Sequence, residues 1–211
     1  MHPITEQLKQ HYARTFRAYG ATARGVDWRG DADLELRYGK MLDVIPSGVS
    51  GAAPTLLDVG CGFGGLLDYA ESRGIAIEYT GLDVVPEMIE HARLARPSAE
   101  FYCEDVFAWN AGRTFDFVVC NGILTQKLTA SIREMDRFAQ SLVRRMFDLA
   151  SSGIVFNVMT TKVDYTKENL YHRDPVELLA WCLAEITPMV RIDHAYPLFE
   201  YCVYLYRDSR S

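Results

Sequence analysis

No stretch of this chain approaches the ~18 consecutive apolar residues of a membrane-spanning helix. The opening run MHPITEQLKQHYARTF is polar and mixed in charge, without the apolar core of a secretory leader. A cytoplasmic protein with no membrane partner is therefore expected. Positive charge is in deficit: 22 Lys and Arg stand against 28 Asp and Glu, a net charge of −6. That disfavours an electrostatic grip on a phosphate backbone, so no nucleic-acid partner is expected. Cysteine is scarce and scattered. The five (Cys61, Cys103, Cys120, Cys182 and Cys202) are odd in number and form no CxxC pair. Neither a disulfide framework nor a metal site is expected from them. Internal repeats and low-complexity segments are missing as well.

What is present is a chain of 211 residues, 49% hydrophobic, sized for one domain. Residues 1–24 read as an amphipathic helix, followed by a glycine-broken loop, and Asp31 is placed to cap a second helix over 32–45. These form an expected N-terminal helical lid (1–50) on a core (51–211). From TLLDVG (55–60) onward, strands and helices alternate. Strands are expected at 78–85, over AEFYCEDV, FDFVVCNGI and GIVFNVMT, and in MVRIDHAY and FEYCVYLYR. The alternation predicts an α/β, doubly wound sheet of seven strands. The last two strands are separated only by PL, too short for a parallel crossover, so the last strand runs antiparallel.

LLDVGCGFGG (56–65) carries the chemistry. Gly60, Gly62 and Gly65 spell GxGxxG, a dinucleotide fingerprint; Asp58, Gly60, Gly62 and Gly64 spell DxGxGxG, a loop that holds S-adenosylmethionine. Both use glycines for a tight turn and close ligand approach. Asp58 would repel a pyrophosphate but favours an ammonium or sulfonium. Asp83, 23 residues after Gly60, is placed for ribose hydroxyls in either cofactor. Asp105, in CEDVF, adds an acid after the third strand, where it or the Val106 amide reaches an adenine edge.

With the terminal hairpin, these motifs resemble those of the class I S-adenosylmethionine-dependent methyltransferases, whose Rossmann-like sheet has seven strands, the last antiparallel. The resemblance covers about 54–207, through LLDVGCGFG, YTGLDVVPEMIEHAR, AEFYCEDVF and FDFVVCNGIL. It implies S-adenosylmethionine as cofactor and S-adenosylhomocysteine as product. It implies that Gly60 and Gly62 pack on the methionine part, Asp83 holds the ribose, and Val84 and Met88 flank the adenine. Asp105 and Val106 would meet the adenine edge, and Asn121 and Gly122 would line the wall beside the sulfonium.

The acceptor is less legible. CNGIL lacks the Asn/Asp-Pro-Pro-aromatic run usual where exocyclic or amide nitrogens are methylated, so a small-molecule acceptor methylated at oxygen is expected. The long polar stretch TTKVDYTKENLYHRDP offers Asp164, Tyr165, Tyr171 and His172, of which Tyr165 and His172 are the catalytic candidates. The N-terminal segment offers His11, Tyr12, Tyr19 and Trp28; Tyr12 or Arg37 is placed to meet the cofactor carboxylate. His91 and His194 read as helix-surface and strand residues. Alternatives remain open: an NAD-dependent oxidoreductase, a non-catalytic S-adenosylmethionine-binding scaffold, or a methyltransferase acting on tRNA or protein. Monomer and homodimer are equally open.

Overall fold

Every apolar run expected as a strand joins one sheet. The computed structural model describes residues 1–46 and 51–208. The expected boundary between residues 50 and 51 lies at the edge of residues outside that description, as do residues 209–211. The elements are α1 (Pro3–Tyr19), a 3-10 turn (Ala23–Val26), α2 (Asp31–Leu42), β1 (Thr55–Val59), α3 (Gly65–Ser72), β2 (Glu78–Asp83), α4 (Pro86–Ala95), β3 (Glu100–Cys103), β4 (Phe115–Cys120), α5 (Ile132–Leu149), β5 (Ala150–Thr160), β6 (His172–Arg173), α6 (Pro175–Glu185), β7 (Val190–Asp193) and β8 (Glu200–Tyr206). The sheet order is β3-β2-β1-β4-β5-β8-β7. The pairs from β3 to β5 are parallel, and β8 runs antiparallel to both β5 and β7.

Side chains alternate between the two faces of a strand, and here both faces are apolar. Leu57, Val59, Val118, Cys120, Ile154, Phe156, Tyr201 and Val203 pack into one core with α1, α5 and α6. Leu56, Phe117, Val119, Val155, Cys202 and Tyr204 pack into the other with α2, α3 and α4. Burial on both faces explains why these strands read as continuous apolar runs. The α5 helix opens on a capping box, Ser131 with Glu134.

Four expectations need correction. The first helix stops at Tyr19, because Gly20, at φ +63°, turns the chain and donates its N–H to the Phe16 carbonyl. Gly30, not Asp31, precedes α2; Asp31 lies inside the first turn, where its charge favours the positive end of the helix dipole. The final hairpin is joined by residues 194–199 rather than by PL alone. Asp193 accepts the Ala195 N–H and ends β7 there, leaving His194 exposed beyond the strand. The sheet also gains an unexpected strand: the two residues of β6 pair with the end of β5, where β4 has stopped. Among the described residues no helix is long and apolar enough to cross a membrane.

Candidate active site

A cleft opens at the carboxyl ends of β1, β2 and β4. This is where open α/β sheets bind ligands, since the chain leaves β1 in one direction and reaches β4 in the other. Its floor is the loop after β1. Gly60 sits at φ +79° and Gly62 at φ +56°, which side chains rarely adopt. A Cβ on Gly60 would stand 2.7 Å from Ile123. Gly60 donates its N–H to the Leu82 carbonyl at 2.7 Å, binding the loop to the end of β2.

Asp83 ends β2 and faces the cleft. Its two oxygens accept the Gly62 and Val85 N–H groups, each at 2.9 Å. Burial raises its pKa, and those backbone donors oppose the shift. Asp58, buried under the loop, accepts the Tyr79 hydroxyl at 2.8 Å. Burial first, and the Asp83 charge as well, push it up to about 7, against the Tyr79 hydrogen bond. Two carboxylates held in a partly dry cleft favour a cation there. Asp105 is buried and fixes its own turn by accepting the Phe107 N–H at 3.1 Å. Val84, Met88, Val106, Asn121 and Gly122 also line the cleft. The Asn121 Oδ1 is buried without a hydrogen-bond partner.

The N-terminal segment covers this floor. Thr5, Leu8, Lys9 and Tyr12 form one face of α1 and line the cleft, as do Val26 and Trp28. Burial, with the Asp27 and Asp83 charges adding, raises the Tyr12 pKa far above its usual value, so the phenol remains a donor. Trp28 lies over Gly122, where an added Cβ would be 3.0 Å from the indole. The amphipathic character of this helix is read from the sequence; the surface that its face covers is not.

The two catalytic candidates stand elsewhere. Tyr165 is 61% exposed and packs edge-on against Phe199. His172 lies in β6, with Nδ1 on the Thr160 carbonyl at 2.8 Å. Neither lines the cleft. The long stretch leaves β5 across the sheet's rim and returns through β6, so its polarity reports exposure rather than approach to the glycine loop. Asp164 is exposed, and the Tyr171 hydroxyl is spent on Asp136 at 2.6 Å. Arg37 does not face a cofactor carboxylate: it is buried against Glu200. Tyr19 is exposed beneath Arg24, and His11 pairs with Asp27 at 3.0 Å.

The floor fits S-adenosylmethionine on its own terms: an orphaned buried acceptor at Asn121, two raised carboxylates, and a loop that excludes Cβ atoms. Comparison with known proteins agrees. A family profile described as "Methyltransferase domain" matches residues 56–145. The chain is 32% identical to "Putative methyltransferase Rv1506c" of Mycobacterium tuberculosis, over 76% of this chain and 98% of that protein. It is 30% identical to malonyl-[acyl-carrier protein] O-methyltransferase of Acetivibrio thermocellus over 54% of this chain, and spans only 38% of that enzyme. Among solved structures, magnesium protoporphyrin IX methyltransferase from Synechocystis PCC 6803 with bound S-adenosylhomocysteine superposes with a TM-score of 0.65 at 13% identity, covering 95% of this chain and 99% of that one. The DhpI–SAM–HEP complex gives 0.61 at 19% identity, covering 97% and 98%. The chain belongs to the class I S-adenosylmethionine-dependent methyltransferases. It is an enzyme of that class, and S-adenosylmethionine is its cofactor.

Proposed function

We propose that this enzyme methylates a small molecule at oxygen. The observation that carries the reading is the enclosure of the cleft: α1 and residues 26–28 close over the glycine loop. A covered cleft of this kind suits a cofactor with one compact acceptor. A folded RNA or protein surface would have to displace that cover. The O-methyltransferase among the relatives supports an oxygen acceptor, as does the CNGIL sequence after β4.

In this reading Gly60 and Gly62 carry the methionine part, and Asp83 accepts from the ribose hydroxyls. Asp105 and Val106 meet the adenine edge, with Val84 and Met88 against its faces. Asp58 supplies negative charge beneath the cation. The Asn121 Oδ1 accepts from the cofactor's ammonium, which removes its unsatisfied state. Tyr12 donates from the α1 cover. The bound cofactor supplies an electrophilic methyl group. The protein aligns the acceptor and excludes water. Tyr165 and His172 have no part in transfer in this reading, and a carboxylate or acidic hydroxyl acceptor needs no strong base. Residues 1–50 act as a lid on the core, in a cytoplasmic protein.

The test is incubation with S-adenosylmethionine labelled in its methyl group and a bacterial extract, split by size, against a Gly60→Arg control. Label in the low-mass fraction is expected, and mass spectrometry then identifies the acceptor. Label in the RNA or protein fraction overturns the substrate class.

A further inference from the structure

Glu200, the first residue of β8, is a fully buried carboxylate among mostly apolar strand residues. Its Oε2 accepts from Arg37 Nε at 3.0 Å and Nη2 at 2.9 Å. Its Oε1 accepts from Asn157 Nδ2 at 3.1 Å, and the Asn157 Oδ1 accepts the Gly122 N–H at 2.8 Å. The Arg37 guanidinium lies 3.7 Å from the centre of the Trp28 ring, and Trp28 in turn lies over Gly122. The circuit closes on itself: cleft wall, β5, β8, α2, Trp28, and back to the cleft wall. Arg37 completes it by donating Nη1 to the Asp33 carbonyl at 3.0 Å.

A buried ion pair is a poor source of stability, because well-packed apolar residues often do as well. Its planar fork does something an apolar pair cannot. It fixes the guanidinium plane against a carboxylate on one edge and an indole on its face. The glycines and acids of the cleft floor lie on the β1, β2 and β3 side, whereas Trp28 covers Gly122 at the end of β4. Asn121 and Gly122 are the residues that the family resemblance would place beside the sulfonium, and Trp28 stands directly over Gly122.

We propose that Arg37, clamped by Glu200, is a positioning residue that holds Trp28 against Gly122, and that Trp28 is the wall that sets the width of the acceptor. This rests on the small-molecule reading above.

The test uses the full chain carrying Trp109→Phe and Trp181→Phe, leaving Trp28 as its single indole. In that parent, Arg37→Met with Glu200→Gln removes both charges together, so neither is stranded. Arg37→Lys, which keeps the charge but loses the fork and plane, is read in parallel in case the pair fails to fold. Three quantities are measured: acrylamide quenching of Trp28, S-adenosylhomocysteine affinity by equilibrium dialysis, and labelled-methyl transfer into the low-mass fraction of a bacterial extract. Quenching is expected to rise and transfer to fall by about tenfold, while affinity stays within about threefold. Trp28→Ala is expected to add larger methylated products. Unchanged quenching and transfer in the folded variants overturn the positioning role. An unchanged product set in Trp28→Ala overturns the width role, and affinity falling in step with transfer makes Trp28 a cofactor wall instead. A parent that binds S-adenosylhomocysteine but methylates nothing sinks the activity reading, and quenching still decides the clamp.

Discussion

Gly60 is the residue on which, in the proposed reading, cofactor and backbone demands coincide. Its φ of +79° is unfavourable for a side chain, and an added Cβ would press on Ile123. Gly60→Ala is expected to cost about 1–2 kcal/mol of stability from the backbone alone. S-adenosylhomocysteine affinity, read by calorimetry, is expected to drop by more than about tenfold. Asp58 makes a different kind of prediction. Its folded-state pKa of about 7 lies above the ordinary carboxylate value. Between that ordinary value and about 7 the folded state binds more protons than the unfolded one, so stability falls as pH rises through the window. Asp83, also raised, adds a contribution of the same sign. Asp58→Asn is expected to flatten this slope, as compared by denaturant titrations at about pH 5 and about pH 8. An unchanged slope would mean that Asp58 titrates normally. Both acids were legible in the sequence because each interrupts an apolar run two residues from a glycine. Asn157 and Glu200 were not. Each looks like an isolated polar residue in an apolar strand, and its meaning comes from Gly122 and Arg37, far away along the chain.

The elements that cover the cleft are tied down by a second polar cluster. His11, on α1, pairs with the Asp27 Oδ2, which also accepts from the Gln126 Nε2 at 2.8 Å. The Asn169 Nδ2 donates to the Gln126 Oε1 at 3.0 Å, drawing in the long segment before β6. Asp27 holds this place at φ +64°, a conformation that costs a non-glycine residue free energy. Asp27→Ala leaves the strain and removes both partners. Hydrogen exchange over α1 is expected to quicken, and S-adenosylhomocysteine to dissociate faster in stopped-flow measurements. Identical exchange in both proteins would show that α1 is held by its apolar face alone. The existence of the main strands was legible, because runs such as FDFVVC and GIVFNV are apolar on both faces. Their ends were not, since side chains such as Asp83 and Asp193 stop strands by capping the backbone locally. The long segment after β5 was legible as a loop, but its direction was set by pairing with the end of β5, which composition does not encode.

Across the whole molecule, the last hairpin anchors the second helix. Besides Glu200 with Arg37, Asp193 takes Lys40 at 2.9 Å, the Tyr204 hydroxyl donates to the Lys40 carbonyl at 2.9 Å, and Arg191 donates to the Asp43 carbonyl at 2.8 Å. Arg37→Ala strands the Glu200 carboxylate and is expected to cost about 3–5 kcal/mol. In a chain of this length that lowers the melting temperature by roughly 2–4 °C per kcal/mol. The paired Arg37→Met, Glu200→Gln change is expected to cost much less, and calorimetric scans of the two variants separate these outcomes. Equal losses would mean that packing, not charge, dominates at this site.

The place of β8, one strand in from the sheet edge between β5 and β7, also bears on how the protein is made. The glycine loop, β2 and β4 all emerge from the ribosome well before β8, and α2 emerges before any of them. For most of synthesis Arg37 and Trp28 are thus without Glu200, 163 residues away. Closing so long a loop is entropically slow. The nascent chain can shape the floor of the cleft early, but the cover over it waits for the hairpin, so under the role proposed for Trp28 substrate discrimination would arrive last.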